Sequence, residues 1–347
     1  MALRINVGVT GFGRMGRLVS RILLLRGEEL GMQLVHVNEK TGGPDMAAYL
    51  LEFDSTHGRF PTRCTPKDGA FLVGEHAITY TTASEPDDIP WRASGVQLVF
   101  ECTGAFLTVD KLQGHFAQGA LKVIVSAPID DGGVLNVVVG CNDALITRDM
   151  RIVTAASCTT NCAALVIGAL DAAFGIELGS ISTVHNVTPT QSITDVANPG
   201  KKNDFRRARS GAVNLAPTTT GSAKAVALIY PHLKGKLDGL AIRVPCQNAS
   251  ITDLCLLLKR PVTKEEVNAA LESAANANPT VLGYETRALV STDYTNDPRS
   301  SVVDALSTQV VGQRLVKVLA WYDNEIGYVN RMVDIAVRLR SDLCPRV

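Results

Sequence analysis

The sequence has no excess of charge of either sign. Its 347 residues include 34 basic and 34 acidic side chains, so the formal net charge at pH 7 is zero. Surfaces that bind nucleic acid or anionic membranes are usually basic, and a neutral total argues against both. The sequence therefore predicts no membrane partner and no nucleic acid as the main ligand.

The sequence also lacks an apolar run of the roughly 20 residues that a membrane-spanning helix needs. The first residues lead directly into an apolar strand predicted at Arg4 to Val9, without the pattern of a secretion signal. Eight cysteines are scattered along the chain and form neither a disulfide framework nor a zinc-binding pattern. We expect no metal site and a cytoplasmic, reducing location.

Two patterns of secondary structure divide the sequence. A chain of 347 residues is long for one hydrophobic core and predicts two domains. Strands and helices alternate in the first half, with strands predicted at Val96 to Phe100 and Leu135 to Val139 among others. This alternation predicts an α/β fold with a Rossmann-type doubly wound parallel sheet. Longer strands and fewer helices follow, which predicts an α+β domain with a mixed, largely antiparallel sheet.

A glycine-rich motif follows the first predicted strand. It reads Gly11-Phe12-Gly13-Arg14-Met15-Gly16, and a helix is predicted from Arg14 onwards. Strand, G-x-G-x-x-G and helix in this order are typical of a dinucleotide site. Gly11 allows the tight turn, Gly13 lets the backbone approach a diphosphate, and Gly16 lets the helix pack on the strand.

The ends of later strands supply further candidates for the cofactor. The second strand ends in Asn38 and Glu39, and Glu39 is placed to accept hydrogen bonds from the adenosine ribose. Its charge would repel a 2′-phosphate, so we predict NAD rather than NADP. The alternative for Glu39 is a solvated loop carboxylate without a role in cofactor binding. Thr103, Gly104 and Ser126 also follow buried strands, where a nucleotide lies in such sheets.

The segment Ala156 to Cys162, ASCTTNC, places Cys158 between a predicted strand and a helix predicted from Thr159 to Phe174. Unpaired N–H groups and the positive end of a helix dipole favour the thiolate, which is the nucleophilic form of cysteine. The sequence therefore predicts a lowered thiol pKa and a nucleophile. The alternatives are a buried structural cysteine and a redox pair with Cys162.

These motifs resemble the glyceraldehyde-3-phosphate dehydrogenase family over essentially the whole chain. The blocks GVTGFGRMGR, FDSTHGRF, ASCTTNC, PTTTGSAKAV and WYDNEIGYVNR stand in the family's order and spacing. The resemblance implies an NAD-binding domain at 1–157, completed by a C-terminal helix at 324–347, and a catalytic domain at 158–323. It also implies a homotetramer, in which the basic loop Thr190 to Ala216 reaches a neighbouring subunit's cofactor.

The resemblance implies a phosphorylating, NAD-dependent oxidation of an aldehyde. Cys158 adds to glyceraldehyde 3-phosphate and forms a hemithioacetal, and His185 takes the hydroxyl proton as hydride passes to NAD. Phosphate then cleaves the thioester that results. His185 lies near the end of a predicted strand, and its pKa starts near neutrality. His57, inside a polar turn, is the alternative base.

Two anion pockets follow from the same resemblance. The pocket for the acceptor is assigned Ser157, Thr159, Thr220 and Gly221, with Arg207 reaching the substrate anions. The pocket for the substrate phosphate is assigned Thr188, Thr190 and Arg243. Asn324 is assigned to the nicotinamide carboxamide, with Tyr328 packed beside it. The residues alone are equally explained by helix capping, strand surfaces and solvated charges.

Some features depart from the family's common pattern. Glu39 stands where many members have Asp, and the loop Gln191 to Asp204 is a few residues longer than in common forms. The block VNEKTGGPDMAAYLLEFDSTHGRF resembles a subgroup associated with arsenic-resistance operons, for which arsenate would be an acceptor as well as phosphate. The alternatives are an erythrose-4-phosphate dehydrogenase and, from another class, an RNA-binding protein that uses its nucleotide groove.

Overall fold

The computed structural model describes residues 4–197 and 204–343. These residues form two compact units. The first comprises the described residues up to Ala156 together with those from Val329 onwards, and the second runs from Ser157 to Tyr328. Residues 198–203 of the predicted basic loop and 344–347 of the predicted C-terminal helix lie outside the described residues.

The first unit is built on a nine-stranded sheet in the order β3-β4-β5-β2-β1-β6-β7-β9-β8. Its strands are β1 Ile5–Thr10, β2 Met32–Asn38, β3 Cys64–Lys67, β4 Ala70–Val73, β5 His76–Thr81, β6 Leu98–Glu101, β7 Lys122–Val125, β8 Leu135–Asn136 and β9 Ile152–Thr154. From β5 to β8 in this order, neighbouring strands pair in parallel, whereas β4 pairs antiparallel with both β3 and β5. The sheet is therefore predominantly parallel.

Strand β1 lies at the point where the strand order reverses. The chain continues from β1 to β2 on one side and later adds β6 on the other. Ile5, Val7 and Val9 of β1 are buried, because helices cover a parallel sheet on both faces. Those helices are α1 Arg14–Leu30, α2 Pro44–Glu52 and α3 Gln113–Ala117. An open sheet of this kind has its ligand crevice beyond the carboxyl ends of the strands at the reversal.

The second unit contains a seven-stranded mixed sheet in the order β11-β12-β10-β13-β16-β15-β14. Its strands are β10 Ile176–His185, β11 Ala216–Thr219, β12 Leu237–Arg243, β13 Ser250–Leu258, β14 Leu282–Glu285, β15 Ser301–Val311 and β16 Leu315–Tyr322. Helices α4 Cys158–Phe174, α5 Ser222–Ile229 and α6 Lys264–Ala277 pack against these strands. Burial alternates along β13, as expected when one face of a sheet is covered more than the other.

Helix α7, Ile326–Leu343, begins in the second unit and continues into the first. Within the first unit, Lys122 lies 3.7 Å from Asp342, and the side chain of Gln97 donates to the carbonyl of Leu343. These contacts fasten the end of the helix to the sheet. The predicted fold, a Rossmann-type parallel sheet followed by an α+β part with a largely antiparallel sheet, is confirmed.

No helix within residues 4–197 and 204–343 is long and apolar enough to cross a membrane. The same ranges contain no group of His, Cys, Asp and Glu side chains that could hold a metal ion.

Candidate active site

Cys158 is the first residue of helix α4. Ser157 is the N-cap, and its hydroxyl accepts a hydrogen bond from the backbone N–H of Thr160 at 3.2 Å. Ala156, immediately before the cap, has φ 52°, in the left-handed region that side chains with a β-carbon rarely occupy. The predicted helix and its end at Gly175 are confirmed. This turn presents a partly exposed thiol at the start of the helix.

His185 lies beside Cys158, although 27 residues separate them in the chain. It is the last residue of β10, and its Nε2 is 3.6 Å from Sγ of Cys158. The imidazole is 4 % exposed. His57, the alternative base, belongs to the first unit, where its backbone N–H donates to Asp54. The structure thus pairs Cys158 with His185, as the distance requires of a nucleophile and its base.

The second ring nitrogen of His185 faces two groups. Nδ1 is 2.9 Å from the carbonyl of Asn186 and 2.8 Å from Nη1 of Arg243. A carbonyl only accepts and a guanidinium only donates, so Nδ1 bonds one of them at a time. When Nδ1–H donates to Asn186, Nε2 carries the lone pair that faces Cys158. That tautomer is the one a general base needs.

Burial and positive charge set the protonation states of this pair. Burial, and secondarily the charge of Arg243, lowers the pKa of His185 from 6.5 to about 3, so the imidazole is neutral. Burial raises the pKa of Cys158, although Arg243 and the hydroxyl of Thr159 act in the opposite direction. The predicted lowering of the thiol pKa is wrong, because desolvation outweighs the helix terminus.

Three residues assigned to the anion pockets, Thr188, Thr190 and Arg207, form one hydrogen-bonded group. Arg243 is paired with His185 in the parallel register of β12 and β10. Nη1 of Arg207 donates to Thr190 at 3.0 Å, and the hydroxyls of Thr188 and Thr190 are 2.9 Å apart. Arg207 also lowers the pKa of Arg243, after the larger effect of burial. Arg207 therefore joins the threonines assigned to the substrate phosphate. Asp204 pairs with Arg207 at 2.9 Å, so among the described residues Arg243 is the guanidinium here that has no ion pair with a carboxylate.

The other pocket residues stand at helix starts. Ser157 and Thr159 begin α4, while Thr220 and Gly221 begin α5. The hydroxyl of Thr220 accepts from the backbone N–H of Ser222 at 3.2 Å, so its hydrogen bonds stay within its own turn. Backbone N–H groups at both helix starts can bind an anion.

Asn324 lies in a turn that is fixed by its neighbour Asp323. The Asp323 carboxylate accepts hydrogen bonds from the backbone N–H groups of Glu325, Ile326 and Asn296 and from the side chain of Asn248. Asn324 is 7 % exposed, and among the described residues its Oδ1 atom is buried without a hydrogen-bond partner. Tyr328 is buried one turn further along the chain. A buried acceptor without a partner fits an external donor such as a carboxamide.

The glycine-rich turn of the first unit has no room for side chains at two positions. Gly11 has φ 81°, and a β-carbon there would lie 2.5 Å from the backbone N of Thr103. A β-carbon on Gly16 would lie 2.1 Å from the carbonyl O of Gly11. At Gly13 a β-carbon would meet nothing within 4 Å, so this backbone faces open space. The turn has the shape that a dinucleotide diphosphate needs.

Glu39 and Asn38 lie next to this turn but differ in how they are used. Glu39 accepts a hydrogen bond from the backbone N–H of Phe12 at 2.7 Å, and its other oxygen accepts from Thr41. The Asn38 side chain is 3 % exposed and bonds Thr81, Ala83 and Thr10. Asn38 therefore holds the strand ends together, whereas the carboxylate of Glu39 keeps lone pairs for a ligand.

A pocket with an empty volume of ≈ 660 Å³ adjoins these residues. Its lining consists of Thr10, Gly11, Gly13, Asn38, Glu39, Lys40, Ala83, Ser84, Ile89, Cys102, Thr103, Ala105 and Phe106. Ile89 and Phe106 are apolar walls that the sequence analysis does not predict. Gly104 follows Thr103 at the end of β6 with φ 68°, and Ser126 follows β7. Of the remaining motif residues, Arg14 pairs with Asp54, and Met15 lies in the first turn of α1.

Comparison with known proteins agrees with the candidate residues of each unit. Residues 5–109 match the family model of the glyceraldehyde 3-phosphate dehydrogenase NAD-binding domain, and residues 157–324 match that of its C-terminal domain. The glyceraldehyde-3-phosphate dehydrogenase 3 of Nostoc sp. is 48 % identical over 98 % of this chain and 100 % of its own length. The chain belongs to the glyceraldehyde-3-phosphate dehydrogenase family.

Other members of the glyceraldehyde-3-phosphate dehydrogenase family match as completely. The glyceraldehyde-3-phosphate dehydrogenase of Zymomonas mobilis is 41 % identical over 98 % of this chain and 100 % of its own length. That of Pseudomonas aeruginosa is 43 % identical over 98 % of this chain and 99 % of its own length. The predicted family is confirmed, and so is NAD as the cofactor, because the N-terminal match is to the NAD-binding domain.

Tyr322 and Asp323 are also given no role by the sequence analysis. Both belong to the block WYDNEIGYVNR, directly before Asn324. The block itself was the only available signal, because the contacts of Tyr322 with Thr159 and Thr183 join residues more than 100 positions apart.

Proposed function

We propose that the protein is a phosphorylating, NAD-dependent glyceraldehyde-3-phosphate dehydrogenase. The observation that carries this proposal is the 3.6 Å distance between Cys158 Sγ and His185 Nε2, with Arg243 at the other ring nitrogen. A nucleophile, a neutral base and a cationic group for a phosphorylated substrate are then present in one cluster.

In the first step, Cys158 adds to the aldehyde carbon of the substrate. The C–S bond forms, the carbonyl oxygen takes the proton that the thiol loses, and a hemithioacetal results. His185 holds that proton in transit, because its neutral Nε2 faces the sulfur. Since Arg243 and burial keep the pKa of His185 low, the imidazolium is short-lived and returns the proton readily.

In the second step, His185 removes the hydroxyl proton of the hemithioacetal while the carbon loses hydride. NAD, when bound, is the acceptor of that hydride. A thioester of Cys158 remains. An oxygen of inorganic phosphate then attacks its carbonyl carbon, the C–S bond breaks, and His185 gives its proton to the departing sulfur. The acyl phosphate leaves and the thiol is restored.

The anion-binding residues divide between substrate and acceptor. Arg243, Arg207, Thr188 and Thr190 bind the substrate phosphate. Hydrogen bonds join Thr188, Thr190 and Arg207, and Arg243 adds a second guanidinium whose charge interacts with that of Arg207. Ser157, Thr159, Thr220 and Gly221 bind the acceptor through hydroxyls and helix starts. Arsenate has nearly the charge and shape of phosphate, and we propose it as a second acceptor.

The cofactor is held by two groups of residues. Phe12, the glycines of its turn, Glu39, Thr103, Gly104 and Ser126 bind the adenosine and diphosphate side. Asn324 accepts from the nicotinamide carboxamide, and Tyr328 packs beside it. We propose domain boundaries at 1–157 with 324–347 for the cofactor domain and 158–323 for the catalytic domain.

A homotetramer in the cytoplasm is the proposed working form. Ile193, Phe205, Val213 and Leu215 of the loop Thr190 to Ala216 are each at least 70 % exposed. So many exposed apolar side chains on one segment suit a surface that another subunit covers. The seven described cysteines form no disulfide, which suits a reducing compartment.

Steady-state kinetics test the proposal. The purified protein is given glyceraldehyde 3-phosphate and NAD with phosphate, arsenate or neither acceptor, and reduced cofactor is followed by absorbance. We expect turnover that requires an acceptor. Preference for erythrose 4-phosphate, acceptor-independent turnover, or salt-sensitive RNA binding without turnover would contradict it.

Two variants separate the roles of the central pair. Cys158→Ser is expected to abolish oxidation, because the alcohol is not ionised at neutral pH. His185→Asn is expected to slow turnover by roughly 10²–10⁴-fold, the usual contribution of a positioned base. Full activity in either variant excludes the mechanism. Sedimentation of the wild-type protein measures the oligomeric state.

A further inference from the structure

A row of buried hydroxyl groups ends at the sulfur of Cys158. The Tyr322 hydroxyl lies 2.7 Å from Oγ1 of Thr183 and 2.9 Å from Oγ1 of Thr159, and Thr159 Oγ1 lies 4.0 Å from Sγ of Cys158. Each of these three hydroxyl residues is at most 5 % exposed. Water therefore does not replace these hydrogen bonds, and their direction is set within the protein.

Tyr322 contacts His185 directly and is linked to Cys158 through Thr159. It is the last residue of β16, and its ring meets the imidazole of His185 edge-on, with centroids 6.1 Å apart and planes at 79°. Its hydroxyl reaches Cys158 only through Thr159. The two ends of one side chain thus adjoin the two residues that exchange a proton in the proposed reaction.

The hydroxyl protons of this row can be ordered in two ways. In the outward order, Thr159 donates to Tyr322, Tyr322 to Thr183, and Thr183 to the carbonyl of Ile251 at 3.3 Å. A lone pair of Thr159 then faces the sulfur, which suits the thiol. In the inward order, each hydroxyl donates towards Cys158, and Thr159 donates to the sulfur, which suits the thiolate.

The change between these orders requires only rotation of hydroxyl groups. Burial, and next the nearby Cys158, strongly raises the pKa of the Tyr322 phenol, so this group keeps its proton throughout. Tyr322 can therefore turn its dipole but does not act as a base. The other titratable or charged groups around the sulfur are His185, Arg243 and Cys162, with Arg207 and Asp204 beyond Arg243.

We propose that Tyr322 is a positioning residue that stabilises the thiolate of Cys158 through Thr159, by reversing the hydrogen bonds of this row when the sulfur becomes charged. The consequence for catalysis rests on the proposed function, in which that sulfur is the nucleophile. The effect on the sulfur itself does not, so it is measured without substrate or cofactor.

The experiment measures the rate at which iodoacetamide alkylates Cys158 as a function of pH, with the modified cysteine identified by peptide mass spectrometry. Tyr322→Phe keeps the ring against His185 and removes only the hydroxyl. We expect it to raise the apparent pKa of alkylation by roughly 0.5 to 1, the equivalent of one neutral hydrogen bond. Thr159→Val is expected to raise it similarly.

A double variant tests whether the two residues act in one row. In the protein carrying Tyr322→Phe, the further change Thr159→Val should raise the apparent pKa by little more, because the row is already broken. Tyr230→Phe is the matched control: it removes another tyrosine hydroxyl, which donates to the carbonyl of Ala164 in the same helix α4. Its alkylation profile should coincide with that of the wild type.

Two results overturn the inference. One is a Tyr322→Phe profile that coincides with the wild-type profile, whatever the change in melting temperature. The other is full additivity of the two substitutions. Thr183→Val, at the far end of the row, provides the same test if Tyr322→Phe does not fold. Failure of the proposed function is recognised separately, as turnover that persists in Cys158→Ser.

Discussion

His185 and Arg243 end two neighbouring parallel strands in register, with Arg243 Nη1 2.8 Å from His185 Nδ1. The positive charge of Arg243 therefore opposes protonation of His185. At this short distance and in a buried setting, solvent and salt screen the repulsion only weakly. Burial accounts for most of the lowering of the His185 pKa and Arg243 adds to it, so this pKa falls to about 3. A base with so low a pKa remains unprotonated at neutral pH.

Replacing Arg243 is expected to shift the acid limb of activity. In Arg243→Gln the pKa of His185 rises, although burial keeps it below 6.5, so activity is lost at a higher pH on acidification. Arg243→Lys retains a positive charge and should keep the wild-type acid limb, while both variants raise KM for the phosphorylated aldehyde. The measurement is kcat against pH. Identical acid limbs in wild type and Arg243→Gln would refute the electrostatic role.

Glu39→Gln is expected to weaken the discrimination against NADP. The amide oxygen still accepts from the backbone N–H of Phe12, so the glycine-rich turn keeps its hydrogen bond. The negative charge near a 2′-phosphate is removed, and we expect the ratio of kcat/KM for NAD over NADP to fall by about tenfold or more, about 1.4 kcal/mol. An unchanged ratio would show that another residue selects the cofactor.

A buried network behind Thr103 makes a second isosteric test possible. Trp91 Nε1 donates to His115 Nδ1 at 3.0 Å, His115 Nε2 lies 3.3 Å from Glu101, and Glu101 accepts from the backbone N–H and hydroxyl of Thr103. Glu101, Trp91 and His115 are fully buried. Since Trp91 can only donate, His115 must accept at Nδ1 and donate from Nε2.

Glu101→Gln therefore places an amide N–H against the imidazole N–H of His115, or forces the same conflict onto Trp91. If the amide turns round, its N–H instead lies against the backbone N–H of Thr103. We expect a loss of about 1–3 kcal/mol in the free energy of unfolding, the cost of one unsatisfied buried donor. Adding Trp91→Phe removes the competing donor. The loss in free energy of unfolding caused by Trp91→Phe should therefore be smaller in the Glu101→Gln protein than in the wild type. Urea unfolding of the four proteins measures both values, and simple additivity would argue against the network.

Folding stability is expected to fall on mild acidification because of His36. Burial lowers the pKa of His36 from 6.5 to about 4. The unfolded chain then binds more protons than the folded chain, so this contribution is complete above pH 6.5 and lost as pH falls through 4. It amounts to about 3 kcal/mol. Unfolding by urea between these pH values should show a smaller pH dependence in His36→Gln, and equal slopes would contradict the assignment.

The predictable parts of the candidate sites are those whose local structure is determined by a short segment of sequence. The turn at Gly11 to Gly16 and the helix start at Cys158 depend on neighbouring residues, and both have the predicted local structure. The strand predicted at Leu135 to Val139 is wrong beyond Asn136: Val137 and Val138 are buried, but they pack in a loop. Apolar residues mark burial more surely than they mark strand pairing.

Features that depend on distant partners were not predictable. Strand β15 escaped prediction, since its 11 residues include Asp, Ser, Thr and Gln. The low pKa of His185 arises from burial, which no local pattern specifies, and to a smaller extent from Arg243, which is 58 residues away. The raised pKa of Cys158 also arises from burial, which outweighs the opposite effect of Arg243. A helix start can be recognised in a sequence, whereas the desolvation of the group it carries depends on the completed fold.

The side-chain oxygen of Asn324 is desolvated in the folded protein. Forming a hydrogen bond normally requires the acceptor to give up water first, and that loss offsets most of the gain. At Asn324 the acceptor loses its water when the chain folds, before any ligand binds, because Asp323 and the start of α7 hold the turn in place. A ligand donor that is aligned with this oxygen thus gains nearly the full free energy of the hydrogen bond. A misaligned donor leaves the oxygen without a partner and gains little.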